Sequence, residues 1–164
     1  MEQLWAPWRL EYIQSPGSDG CIFCLDESTA DDRARLVVMR GRHSFVIMNR
    51  YPYSNGHLMV SPYRHLADFA ELEEHETLDI HRLTVLCQKA LRDVCAAQGF
   101  NVGWNLGQVA GAGVAGHIHV HIVPRWAGDC NFMPVLADTR VIPQHIEGTY
   151  ALLVKAFAAD RRGG

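Results

Sequence analysis

Residues 117–123 read His-Ile-His-Val-His-Ile-Val, an imidazole at every second position with a branched aliphatic between. A period of two belongs to an extended strand, not to a helix. On a strand, His117, His119 and His121 share one face, and Ile118, Val120 and Ile122 share the other. Neighbouring rings then stand about 6.6 Å apart along the strand. Such a strand must lie on a core with its aliphatic face and offer imidazoles to something on the opposite side. A solvated face is usually built from charged residues or threonine, so three titrating rings in a row point to chemistry.

The run is preceded by Gly111-Ala112-Gly113-Val114-Ala115-Gly116, which matches G-x-G-x-x-G letter for letter. The dinucleotide fingerprint requires a helix to open at that loop, and here a strand follows, which argues strongly against a Rossmann site. Backbone amides in a tight glycine turn can still cradle an anion. Two chemistries fit three histidines on one face. Histidines at i and i+2 can ligate a catalytic metal, although this strand holds no carboxylate to complete such a site. Alternatively, the central imidazole is a nucleophile or general base that its neighbours orient. A glycine loop beside the strand favours phosphate chemistry.

The remaining pattern predicts the frame around that strand. Short β-rich runs at 36–39, 44–48 and 57–61 are separated by Gly41, Pro52 and Gly56. Residues 66–97 read as a short and then a longer helix. Leu83, Leu86, Cys87, Ala90, Leu91 and Val94 lie along one face of it, and Gly99 is its natural stop. Residues 100–106 predict a strand, 107–116 a loop, 127–143 irregular chain and 144–159 a closing helix. Residues 1–20 read as a packed arm ending in a turn, and 21–32 as loop. Strands in succession around one main helix make an α+β fold with an antiparallel sheet, in a single domain over residues 1–164.

Composition narrows the function. A net charge of −3 argues against nucleic acid held by bulk positive charge, so any anion must be held by local groups. No apolar run approaches a membrane span, and the N-terminal residues lack the basic and apolar regions of a signal peptide. Five cysteines suit reduced thiols better than a disulfide framework, which makes the cytoplasm the expected location. Cys21-Ile22-Phe23-Cys24 has half the spacing of a zinc site and, taken alone, decides nothing. Cys87 and Cys95 read as core positions of the long helix.

With these motifs in hand, the chain resembles the histidine triad (HIT) superfamily, whose signature alternates three histidines with apolar residues and ends in two apolar positions. Residues 117–123 fit that signature in full. Asn49-Arg50-Tyr51-Pro52 followed by Gly56-His57-Leu58-Met59-Val60 is similar to the family's ribose-binding segment and adjoining strand. Leu4-Trp5-Ala6-Pro7-Trp8-Arg9 and Trp126-Ala127-Gly128-Asp129-Cys130-Asn131-Phe132 look like the bacterial branch related to diadenosine tetraphosphate phosphorylases and hydrolases.

The resemblance implies a five-stranded antiparallel sheet with a main helix and a C-terminal helix, and a homodimer. It implies that His119 attacks the α-phosphorus of a nucleotide and carries a transient adenylyl group, while His121 contacts phosphate and assists the leaving group. Asn49 would contact the ribose, Ile22, Phe23 and Ile47 the base, and Asn105 the phosphate. Gly113 stands where relatives often carry Ser, Thr or Gln, so backbone amides would have to serve there. His65 and His117 would join Cys21 and Cys24 around a structural zinc ion, with no organic cofactor. The implied reaction is cleavage of a dinucleoside polyphosphate by transfer to phosphate or water. An adenosine phosphoramidase and a nucleotide sensor with little turnover are the competing readings. Arg50 and Arg125, close in sequence to the site pieces, are the candidate local cations for a polyphosphate, and Arg125 could equally be a strand-end surface charge.

Overall fold

The computed structural model describes residues 20–26, 28–129 and 145–163. The expected arm over residues 1–20 except its last residue, the branch-like segment 4–9, the last three residues of the branch-like segment 126–132 and most of the expected irregular chain 127–143 lie outside these residues.

Five strands form one sheet: β1 (Val37–Arg40), β2 (Ser44–Met48), β3 (Leu58–Pro62), β4 (Gly99–Trp104) and β5 (Val120–Arg125). Their order is β1-β2-β3-β5-β4, and every neighbouring pair is antiparallel. Among the described residues, three α-helices accompany the sheet: α1 (Asp32–Arg35), α2 (Glu74–Cys95) and α3 (Ile146–Gly163). The expected α+β fold class is therefore present.

The register sorts the sheet into two faces. Val37, Ile47, Met59 and His121 face one another across β1, β2, β3 and β5, and Gly103 of β4 ends the row. These aliphatic residues join Phe23 and Phe45 in a small cluster on the imidazole side. The alternate positions, including Val46, Met48, Leu58, Val60, Val120 and Ile122, form the main core with Ile80, Leu83, Cys87 and Leu91 of α2 and Leu153 and Phe157 of α3. Full burial of such side chains contributes about 1.5–3 kcal/mol each, so the α2 side anchors the sheet and leaves the opposite face available for chemistry.

Several boundaries differ from expectation for identifiable reasons. The long helix stops at Ala96, whose left-handed φ of 51° forms the cap, and Gly99 instead begins β4. Residues 117–119 precede β5 rather than belonging to it. There the Ile118 amide donates to Leu66 O and the Ser61 hydroxyl to Ile118 O, in place of ladder bonds. β5 instead runs on through Pro124, beyond the last β3 pairing at Leu58–Ile122, where the missing proline N–H has no ladder bond to supply on the β3 side. Helix α1 falls at the end of a segment read as loop, since four residues are too few to show periodicity.

Candidate functional site

The three signature histidines sit on the face opposite α2, and a fourth joins them. Gly56 has a φ of 77°, and a Cβ built on it would stand 2.9 Å from Leu91 Cδ2, so a close backbone approach delivers the chain into His57. His57 is fully buried and stands diagonal to His121 across the β3–β5 pair.

Hydrogen bonds fix which ring nitrogen carries each proton. The Tyr53 amide donates to His57 Nδ1 at 3.2 Å, and Asn49 Nδ2 lies 3.3 Å from the same atom. His57 Nδ1 is thus an acceptor, and its Nε2–H donates to His121 Nδ1 at 3.0 Å. That assigns the remaining proton of neutral His121 to Nε2, which is buried without a hydrogen-bond partner among the described residues. His119 is set the other way round. Its Nδ1–H donates to His117 O at 2.9 Å, which leaves the Nε2 lone pair available. The rings of His119 and His121 meet edge to face with centroids 4.8 Å apart. A lone pair therefore stands beside a proton donor that lacks an acceptor, the combination a nucleophilic displacement at phosphorus requires.

Burial keeps the rings neutral. Desolvation, followed by the neighbouring His121 and His119, pushes His57 down to about 3. Desolvation and His119 bring His121 to about 4. His119 is lowered by desolvation, with its bond to His117 O acting in the opposite sense.

A second cluster adjoins the first. Cys21 Sγ lies 3.4 Å from His117 Nδ1, Cys24 Sγ lies 3.3 Å from His65 Nδ1 and 3.7 Å from His117 Nδ1, and all four donor atoms fall within 4.8 Å of one another. Tetrahedral zinc with Zn–S about 2.3 Å and Zn–N about 2.0–2.1 Å separates its donors by roughly 3.3–3.8 Å, so the set fits such an ion. His117 Nε2–H donates to Pro62 O at 2.9 Å, which turns the unprotonated Nδ1 towards the thiols. Arg64, next to His65, is bound by Glu76 at 2.6 and 2.7 Å and donates to Glu71 O, so the N-terminus of α2 anchors the His65 segment. The Arg64 guanidinium is the largest influence holding the Glu76 carboxyl below its usual range.

The other expected residues divide in their placement. Asn49 closes on His57, and its Oδ1 accepts the Tyr51 amide at 2.9 Å. Ile22 is half exposed, Phe23 is buried against the imidazoles, and Ile47 lies in the row that passes through His121. Asn105 Nδ2 donates to Gly111 O, bracing the glycine loop, and Gly113 is exposed in that loop. The amides of Ala110, Gly111 and Ala112 are used within the loop itself. Arg50 donates to Ala34 O. Arg125, at the far end of β5 from the histidines, is paired with Asp129 and Asn101. The residue that sequence reasoning missed is His57, treated there as a strand start. Its signal was a histidine directly after Gly56, at a strand opening on a chain already rich in them.

The HIT domain family model matches residues 31–128, more than half of the chain, and the protein belongs to the histidine triad family. Within it, the chain is 36% identical to an AP-4-A phosphorylase of Mycobacterium tuberculosis, over 96% of this chain and 85% of that one. A Bis(5'-nucleosyl)-tetraphosphatase [asymmetrical] of Schizosaccharomyces pombe is 32% identical over 57% of this chain and 50% of its own. Among solved structures, a Zn-bound histidine triad family protein from Mycobacterium smegmatis superposes with a TM-score of 0.68 at 26% identity, covering 90% of this chain and all of that one.

Proposed function

We propose that this protein is an enzyme that cleaves a dinucleoside polyphosphate, with diadenosine tetraphosphate the foremost candidate, through a covalent histidine–AMP intermediate. The observation that carries the reading is the pairing of a His119 Nε2 lone pair with an unpartnered His121 Nε2–H. The similarity to the mycobacterial AP-4-A phosphorylase supports the substrate class.

In this mechanism His119 Nε2 forms a bond to the α-phosphorus, and the bridging Pα–O bond breaks to release the remaining polyphosphate. The positive charge that develops on the imidazole is dispersed through its Nδ1–H to His117 O. His121 Nε2–H donates to a phosphate oxygen and stabilises the departing anion, while His57 keeps that proton on the correct nitrogen. An acceptor oxygen then displaces His119 and restores it. Asn49 offers contacts to the ribose, and the exposed Ile22 offers apolar surface to the base, with the buried Ile47 packed in the cluster behind it. Arg50, within the ribose segment, is the candidate cation for the polyphosphate.

Cys21, Cys24, His65 and His117 would hold zinc as a closed four-ligand structural site, which contributes folding free energy and leaves no open position for water. A homodimer belongs to the same reading. β4 is an edge strand with Val102 47% exposed, a surface on which a second copy can extend the sheet. The cytoplasm is the matching location.

Orthophosphate is the favoured acceptor. Incubation of diadenosine tetraphosphate with the protein should yield ADP and ATP when phosphate is present. AMP and ATP at one rate with or without phosphate would make the protein a hydrolase. No cleavage, alongside rapid turnover of adenosine phosphoramidate, would move the assignment to a phosphoramidase. A His119→Ala chain that retains full activity would remove the mechanism altogether.

A further inference from the structure

Ile22 and Phe23, the two residues between the cysteines, face opposite ways: Ile22 is 45% exposed and Phe23 1%. The Phe23 ring lies on the imidazole of His119, with centroids 4.4 Å and planes 26° apart, and it tilts against His117 at 5.6 Å. Its mount is rigid. The Cys24 amide donates to Cys21 O at 3.0 Å, and Arg35 donates to Ile22 O at 2.8 Å and Cys24 O at 2.9 Å. Val37, Phe45, Ile47 and Met59 pack in the same cluster. Among the described residues His119 has one ring hydrogen bond, from Nδ1 to His117 O, and its other ring neighbour, His121, meets it edge to face rather than along its plane. A single bond of that kind leaves the ring free to rock about its axis and swings Nε2 away from any fixed target. A flat carbon face at stacking distance blocks that rotation.

We infer that Phe23 is a positioning residue for the nucleophile: its ring fixes the plane of the His119 imidazole, and Ile22 alone is the part of the knuckle that meets a base. The inference rests on the proposed role of His119. It changes the expectation for Phe23 from a base contact to a support, since a ring with 1% of its surface exposed and its face already against an imidazole has little left for a nucleotide.

Phe23→Leu keeps an apolar side chain and removes the flat face. In the full chain, compared at equal zinc content per chain, it should lower kcat about tenfold or more on diadenosine tetraphosphate while KM stays within about twofold. Ile22→Ala should show the opposite split, with KM raised more than kcat is lowered. Nitrogen NMR of histidine-labelled protein adds a readout that needs no substrate. The wild type should show His119 as one Nδ1–H tautomer with sharp signals, and Phe23→Leu should broaden or mix them. That arm separates failure of this inference from failure of the proposed reaction. A rise in KM with unchanged kcat, or unaltered His119 signals, would overturn the positioning role. If Phe23→Leu does not fold, Phe23→Met is read by the same two measurements.

Discussion

Proton placement at the site begins with a backbone amide. Tyr53 N–H occupies His57 Nδ1, and from that one bond the tautomers of His57 and His121 follow in turn. Replacing His57 with Phe preserves ring volume but strips His121 Nδ1 of its donor, so the His121 proton can move to the wrong nitrogen. We expect His57→Phe to lower kcat about 10- to 100-fold with a smaller change in KM, as befits loss of a group that matters in the transition state. Steady-state kinetics at several substrate concentrations would check this, and wild-type kcat in the variant would refute the relay. The alternation at 117–123 already placed three imidazoles on one face. It carried no information on His57, because that contact depends on how β3 registers against β5, 64 residues away in the chain.

Among the elements, the knuckle at 21–24 and the segment between β3 and α2 meet although more than 40 residues separate Cys24 from His65. Nothing in the β-strand pattern demands that meeting, and a metal ion at the cluster would convert it into folding free energy. Protein prepared without chelator should carry about one zinc per chain. Cys24→Ser should lower the thermal midpoint by more than it slows the chemical step, since a zinc ion held by four protein ligands would have no open position for substrate. Metal analysis paired with calorimetry decides the matter, and well under one zinc per chain in the unaltered protein would dismiss the site. Two boundaries that sequence reasoning placed incorrectly are local departures from regular structure: before β5 a loop carbonyl and the Ser61 hydroxyl take the place of ladder bonds, and after residue 95 the amides of Ala96 and Ala97 close back on Arg92 O and Leu91 O around a left-handed cap.

For the molecule as a whole, buried neutral imidazoles make stability depend on pH. The folded values of about 3 for His57 and about 4 for His121 lie below the ordinary 6.5. Between pH 6.5 and about 4 the unfolded chain takes up protons that the native chain refuses, so stability is complete above 6.5 and falls with acidification. The two groups together should cost about 2–4 kcal/mol between pH 7 and pH 5. Urea unfolding at the two pH values measures this, and equal stabilities would show that the rings are not held neutral.

What the sequence determined by itself is what short-range periodicity encodes. The alternating run separated an imidazole face from an aliphatic one, the helical spacing placed Leu83, Cys87, Ala90 and Leu91 in the core, and the strand after the glycine loop argued strongly against a dinucleotide fold. The tertiary structure alone decided that His57 completes the relay, that Phe23 turns inward while Ile22 turns outward, and that Arg125 is engaged by Asp129. The physical reason is one of range. Side-chain direction along a strand or helix is set by backbone geometry within a few residues, whereas a hydrogen bond or ring stack between distant segments exists only once sheet register and core packing have set their separation to within about an ångström.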